Sequence, residues 1–149
     1  MVSTKLVGKF FAPRRKKIEL YNTHAEALQE QVFRKLIKSA AHTEWGTKYD
    51  YAHIQSYTDF QRVPIQTYED IKGDVDRMRH GEKDILWPGQ VKWYAKSSGT
   101  TNDKSKFIPV SPDGLKNIHY MGGTDAVALY LGINPDSKFF SGKGLILGG

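Results

Sequence analysis

Apolar residues between positions 24 and 41 recur every three or four positions, which is the spacing of one face of an α-helix. The stripe consists of Ala25, Leu28, Val32, Leu36 and Ala40, widened by Phe33 and Ile37. Thr23 and Glu26 stand three residues apart at its start, the spacing of a capping box that satisfies the free amides of a first turn. The pattern predicts a helix over 24–41 with a core-facing stripe, ending before a turn at 43–46.

A second helix is predicted from position 68, with Thr67 as its cap and Asp70 in its first turn. Arg79 and His80 suit the negative end of the helix dipole, and Gly81 suits the left-handed residue that ends a helix. The expected buried stripe is Tyr68, Ile71, Val75 and Met78.

A third helix is predicted after Ser111, which would cap it, with Pro112 as the first helical residue and Asp113 in the first turn. Paired glycines at 122–123 weaken its middle by about 1 kcal/mol each. The apolar residues expected along it are Leu115, Ile118, Met121, Ala126 and Leu129.

Three apolar runs, at 91–95, 107–110 and 144–149, have the composition of strands. The last run is apolar throughout, as in a strand buried on both faces, and such a strand needs neighbours on each side. The pattern predicts an α/β protein with helices packed on an incomplete mixed sheet. Because two other strands are too few to surround the last one, we expect the 149 residues to be a truncated piece of a larger domain.

Charge is concentrated at the start of the chain. Six of the 22 basic residues precede the first acidic residue, Glu19, and the other 16 are balanced by 16 acidic residues. We therefore divide the chain into a basic N-terminal arm, 1–17, and a neutral body, 18–149. The arm could lie on an anionic membrane or a nucleic acid, or it could simply pack its Phe10–Phe11 pair on the body and leave its cations in water.

Composition excludes several kinds of chemistry. The chain has no cysteine, so disulfides, thiolate zinc sites and thiol catalysis are absent. Its five histidines lack the spacing of a metal site, and no metal ligand is predicted. No apolar run approaches the roughly 18 residues that span a bilayer, and no secretion signal is indicated. A cytoplasmic protein without stable membrane insertion is expected.

The most informative segment is a hydroxyl-rich loop between the runs 91–95 and 107–110. A polyphosphate needs short donors, a backbone free to approach closely and nearby cations, and this loop has all three. A simple Ser/Thr/Gly hairpin with solvated lysines is the other reading of the same composition. The residues concerned are Ser97, Ser98, Gly99, Thr100 and Thr101, followed by Lys104 and Lys106.

The loop resembles the Ser/Thr-Gly-Thr-Thr-x-x-x-x-Lys signature of acyl-adenylate-forming enzymes, and it departs from the two standard glycine-rich nucleotide motifs. Much of 18–149 is similar, in order, to the auxin-responsive Gretchen Hagen family of acyl acid amido synthetases. The similar segments are 43–46, Tyr57 with Phe60, 63–65 with 68–70, 81–82 with Leu86, 96–101, 106–109 and 145–149.

The resemblance implies that 18–149 is the N-terminal part of a large ATP-binding domain. The family joins a small carboxylic acid to an amino-acid amine, through an acyl-adenylate, with ATP and Mg²⁺. Carried over by position, Ser97, Ser98, Thr100 and Thr101 would donate to phosphate oxygens. Gly99 would permit close backbone approach, and Lys106 would supply the cation.

The resemblance assigns no catalytic residue to this chain, so we expect these 149 residues alone to be inactive. Asn102-Asp103 replaces a glycine of the plant relatives, and both residue types tolerate the bend. An acyl-CoA ligase sharing the first half-reaction is the alternative enzyme. A membrane or nucleic-acid binding module that acts through the basic arm is the alternative of another class, although the neutral body favours no nucleic-acid partner.

Overall fold

The structure, a computed structural model, describes residues 4–98, 105–140 and 143. The chain forms two compact units, one made of Met1–Ala25 with Lys116–Gly149 and the other of Glu26–Leu115. Helices dominate both units, and a small antiparallel sheet lies in the second, so the predicted mixed α/β class is confirmed. The predicted strand at 144–149 lies outside the described residues.

The helices of the second unit are short except at its two predicted helical segments. Helix α2 (Ala25–Ala40) enters it, and α3 (Glu44–Lys48), a 3-10 turn (Tyr51–His53) and α4 (Tyr57–Phe60) follow. Helix α5 (Tyr68–Arg79) confirms the second predicted helix, including a left-handed Gly81 with φ 98°. The core of the unit contains Val75, Met78, Ile85 and Val91.

Helix α2 confirms the predicted element and corrects part of its expected burial. Ile37 and Ala40, near its end, are buried, whereas Val32 is 54% exposed and Leu36 43% exposed in the described chain. The predicted Thr23 cap is wrong, because Thr23 is the last residue of the preceding helix and its hydroxyl donates to the Leu20 carbonyl. Helical periodicity identified this element but not which part of its stripe is covered.

The junction between α2 and α3 is tighter than the predicted turn at 43–46. Thr43 is buried and caps α3, accepting from the Gly46 amide at 2.9 Å and donating to the Ala40 carbonyl at 2.8 Å. The next two amides, of Glu44 and Trp45, donate to carbonyls in the loop after α5. The segment therefore begins a helix, and it joins α2 to the core loop.

The sheet is a two-stranded antiparallel hairpin of β1 (Trp93–Lys96) and β2 (Phe107–Val110). Its register pairs Trp93 with Val110 and Lys96 with Phe107. Both strands were predicted, β1 with bounds shifted by one or two residues. The hairpin holds the two ends of the hydroxyl-rich loop next to each other.

The first unit contains α1 (Thr4–Thr23) and α7 (Met121–Ile133), which pack on each other. Most of the basic arm thus lies in a helix. Arg14 and Asp125 form a bidentate ion pair at this contact, and both side chains are largely covered. The pairing raises the pKa of the Arg14 guanidinium further above its usual range.

The third predicted helix is interrupted rather than continuous. Ser111 caps a short α6 (Pro112–Gly114) as predicted, and a π-helical segment (Leu115–Tyr120) precedes α7. Because a π-helix has a different period from an α-helix, the apolar positions do not follow one stripe. Ala128 and Leu131 are buried, whereas Ile118 and Leu129, which were expected along the apolar stripe, are exposed.

Acid is expected to destabilise the second unit, because folding lowers the pKa of three of its carboxyl groups. Arg77 lowers the pKa of Glu44, the Ser56 hydroxyl that of Asp59, and the Thr67 hydroxyl that of Asp70. The unfolded chain therefore binds more protons, and stability present above about pH 4 is lost as the pH falls through the folded values.

Urea titrations between about pH 7 and pH 3 test this expectation. The three tryptophans of these 149 residues, Trp45, Trp87 and Trp93, lie in this unit, so their fluorescence reports its unfolding. Asp70→Asn should reduce the slope below pH 4. An unfolding free energy that stays constant or rises on acidification would contradict the prediction.

Candidate functional site

The candidate site is the segment that the β1–β2 hairpin closes. Beyond the last strand pair, the Ser97 amide donates to the Lys106 carbonyl at 2.9 Å. The Lys106 amide donates back to the Ser97 hydroxyl, also at 2.9 Å. These two bonds extend the stem by one residue pair and fix both ends of the loop 98–105.

The described residues include three of the six predicted phosphate-binding residues. Ser97 and Lys106 are half-buried at the stem, and Ser98 is exposed where the loop begins. Gly99, Thr100 and Thr101 lie outside the described residues, so their predicted roles stay predictions. The structure thus brings the Ser97 hydroxyl to the backbone amide of Lys106. This gives the Ser97 oxygen a structural bond that the sequence did not predict.

Helix α5 supports the exit of the loop through its first residue, Tyr68. The Phe107 amide donates to the Tyr68 hydroxyl at 3.0 Å, and the Lys106 Nζ lies 5.5 Å from the centroid of the Tyr68 ring. The residue before Tyr68 is Thr67, and its amide donates to the Asp70 carboxylate at 2.7 Å. This bond caps the start of the helix. A capped helix therefore carries the aromatic ring that lies against the loop's lysine.

The opposite end of α5 contacts the same strand. The Arg79 guanidinium carbon lies 3.6 Å from the centroid of the Phe107 ring, within the range of a cation–π contact. Phe107 is consequently held at its amide and at its ring by two residues of one helix.

On the neighbouring strand, burial raises the pKa of the Tyr94 hydroxyl, which donates to the Val91 carbonyl at 3.3 Å.

Chemically, this arrangement suits an anion. Hydroxyl groups and a lysine ammonium donate charge-assisted hydrogen bonds to phosphate oxygens, and these bonds are stronger than bonds between neutral groups. A group of three or more His, Asp or Glu side chains that could hold a metal is not found within 4–98, 105–140 and 143.

An apolar cavity of about 460 Å³ lies elsewhere in the second unit. Its aromatic lining includes Trp45, Tyr51 and Phe60, and the Trp45 indole donates to the Tyr51 hydroxyl at 3.2 Å. Burial raises the pKa of that hydroxyl. The sequence did not predict this cavity, whose lining comes from several separate segments.

Two site residues were missed as well. The sequence pattern predicts Tyr68 in the core stripe of its helix and Arg79 at the negative end of the helix dipole, and it predicts no contact of either residue with β2. Their partners lie on β2, so no short-range spacing reveals the contacts. The one available signal was that Tyr68 belongs to a segment resembling the amido synthetase family.

None of the helices in the described part of the chain is long and apolar enough to cross a membrane.

The fold of the described residues has a counterpart among solved structures. A solved structure, "GH3.15 acyl acid amido synthetase", is similar with a TM-score of 0.71 and 23% sequence identity, over 96% of this chain and 24% of that one. The model of the GH3 family N-terminal domain matches residues 14–147. The chain therefore belongs to the GH3 family, as the resemblance of its motifs predicted.

Curated relatives from Arabidopsis thaliana agree with this assignment. "Indole-3-acetic acid-amido synthetase GH3.15" is 28% identical over 87% of this chain and 21% of its own length. "Indole-3-acetic acid-amido synthetase GH3.17" is 30% identical over 68% and 17%. A third, "4-substituted benzoates-glutamate ligase GH3.12", is 24% identical over 71% and 19%. The chain thus spans about a fifth of the length of these relatives.

Proposed function

We propose that this chain is the phosphate-binding part of an ATP-dependent ligase that joins a small carboxylic acid to the amine of an amino acid. The observation that carries the proposal is the closed stem, in which Ser97 and Lys106 hold both ends of the hydroxyl-rich loop. Relatives named as an amido synthetase and as a benzoate–glutamate ligase support the same reaction class.

The reaction has two steps. A carboxylate oxygen of the acid attacks the α-phosphorus of ATP, the bond to the β-phosphate oxygen breaks, and pyrophosphate leaves. The amine then attacks the acyl carbon, the bond to AMP breaks, and an amide forms with release of a proton. The relatives' names support a small carboxylic acid and an amino acid as the two classes of substrate.

The residues of this chain would act on the leaving pyrophosphate. Ser97, Ser98, Thr100 and Thr101 donate to phosphate oxygens, and the Lys106 ammonium offsets their charge. A hydrogen bond to a charged group contributes roughly 1.5–3 kcal/mol, so several of them hold the phosphates in line with the attacking acid. Positioning and charge stabilisation would be the whole contribution of this loop to catalysis.

Mg²⁺, which the resemblance implies, would share the phosphate charge when bound. The loop's hydroxyl groups suit the outer phosphates better than a dedicated metal cage, and we assign no Mg²⁺ ligand to the described residues.

The alternative that acts through the basic arm has less support. Arg14 is paired with Asp125, and Lys5 lies 3.0 Å from Asp136, so two of the arm's six cations have acidic partners. Partners within the protein lower the charge that an anionic surface would meet.

The proposal is tested by identifying the compound that the full-length protein forms from an acid and ATP. We expect exchange of labelled pyrophosphate into ATP that depends on an added carboxylic acid, followed by an amide when amino acids and coenzyme A compete as acceptors. Mass spectrometry distinguishes the two products. A thioester would instead establish the acyl-CoA ligase, and the absence of exchange with a broad panel of acids would reject acyl-adenylate formation.

A further inference from the structure

One side chain connects the start of α5 to the exit of the loop. Tyr68 accepts a hydrogen bond from the Phe107 amide at 3.0 Å and places its ring 5.5 Å from the Nζ of Lys106. Lys106 and Phe107 are consecutive, so the hydroxyl holds the backbone while the ring meets the neighbouring side chain. No other described aromatic ring has a cation–π contact with Lys106.

We propose that Tyr68 is a positioning residue that holds the Lys106 ammonium at the loop before a phosphate binds. This inference rests on the proposed function, because it gives the lysine the role of the phosphate-binding cation. Tyr68 itself touches no reacting atom in the proposal. It acts through Lys106.

The physical reason is the flexibility of lysine. A lysine side chain has many rotamers, and fixing it on a ligand has an entropic cost that a pre-positioned ammonium avoids. A cation–π contact is weaker than a charge-assisted bond to phosphate. Because the ammonium has three donors, it can bond to a phosphate oxygen while it stays over the ring, so the ring contact is kept when phosphate is bound.

The anchor of Tyr68 is rigid enough for this task. On the same helix, Val75 and Met78 are fully buried, and the cap of Thr67 and Asp70 fixes the first turn. The Arg79 guanidinium stacks on the Phe107 ring from the other end of α5. Because Phe107 is attached to the helix at two points, the position of Lys106 follows the position of α5.

Two substitutions in the full-length gene product separate the two contacts. Tyr68→Phe keeps the ring and removes the hydroxyl acceptor, whereas Tyr68→Leu removes both. Tyr57→Leu is the matched control, because Tyr57 also begins a helix but is 66% exposed. Hydrogen exchange of the α5 amides checks that each variant keeps the fold.

The first measurement uses the ligand-free protein. Lysines are labelled with ¹³C by dimethylation, which retains their charge, and the Lys106 signal is identified by its loss in Lys106→Arg. We expect the Lys106 signal to show a ring-current shift in the parent protein and in Tyr68→Phe. In Tyr68→Leu the signal should remain, but without the ring-current shift. The same chemical shift in all three proteins would overturn the proposal.

The second measurement is the dissociation constant for ATP without an acid substrate. Tyr68→Leu should weaken ATP binding by about threefold to tenfold, the size of the entropic cost of immobilising one long side chain, with a smaller effect for Tyr68→Phe. In a Lys106→Ala background, Tyr68→Leu should have little further effect, because the group that it positions is gone.

The outcomes distinguish the two ideas. If Lys106→Ala leaves ATP affinity unchanged, the assignment of the loop fails, whatever Tyr68 does. If Lys106→Ala weakens binding but Tyr68→Leu weakens it equally in both backgrounds, Tyr68 has a general structural role and the positioning proposal fails. A Tyr57→Leu effect as large as that of Tyr68→Leu would also count against it.

Discussion

Replacing Ser98 and Thr100 together by alanine is expected to lower acid-dependent ATP–pyrophosphate exchange by about 10²–10⁴-fold in the full-length gene product. Two hydrogen bonds to charged phosphate oxygens would be lost, each worth roughly 1.5–3 kcal/mol, and every 1.4 kcal/mol is a tenfold change in rate. The loss should appear in the exchange rate at saturating acid, because the hydroxyl groups act on ATP and not on the acid.

Ser105→Ala is a suitable control, since Ser105 is a half-buried hydroxyl of the same loop that has no assigned role. It should retain exchange within about threefold, as expected when no charged hydrogen bond is removed. An unchanged exchange rate in the Ser98/Thr100 double variant would reject the loop as a phosphate site. A loss of equal size in Ser105→Ala would point to disruption of the hairpin instead.

The largest expected effect on stability belongs to Gly46→Ala. A Cβ atom at Gly46 would lie 2.0 Å from the Ala40 carbonyl oxygen and 2.8 Å from its carbon. These are backbone atoms, so the α2–α3 junction would have to move, and the hydrogen bonds from Thr43 to the same carbonyl would be strained. We expect a loss of roughly 3 kcal/mol, the upper part of the range for over-packing.

Hydrogen exchange of the full-length gene product checks this prediction locally. Protection should fall for the amides of Glu44 and Trp45, which bond to the loop after α5. Gly73→Ala is the matched control, because a Cβ there meets nothing within 4 Å and alanine is the better helix former by about 1 kcal/mol. Unchanged protection at α3 in Gly46→Ala would mean that the close approach is relieved at little cost.

Local patterns predicted the parts of the fold that depend on near neighbours in sequence. Helix α5 shows this best, since the Thr67–Asp70 pair, the buried Val75 and Met78 and the left-handed Gly81 all agree with the pattern. Both strands of the hairpin were found for the same reason. The closure of the loop by Ser97 and Lys106 follows directly from that pairing.

Contacts between distant segments were not predictable from spacing. The sequence predicts Gly46 as part of a turn, because no pattern in the neighbouring residues indicates that the Ala40 carbonyl approaches the Cα of Gly46. The sequence predicts Tyr68 as a core residue, because the amide that bonds to its hydroxyl is 39 positions away in the chain. Thr23 fitted a capping box locally, yet α1 continues through it, since the chain before position 24 is helical as well.

The hydrogen bond between the Tyr68 hydroxyl and the Phe107 amide also determines at which edge of the hairpin a further strand can pair. Because the Phe107 amide faces Tyr68, it points away from β1, and the alternation of a strand puts the Pro109 nitrogen on the same outer edge. Proline has no N–H to donate there. An incoming strand would meet one occupied donor and one missing donor on β2, so a strand that extends this sheet, from the same molecule or from an aggregating neighbour, should add beside β1.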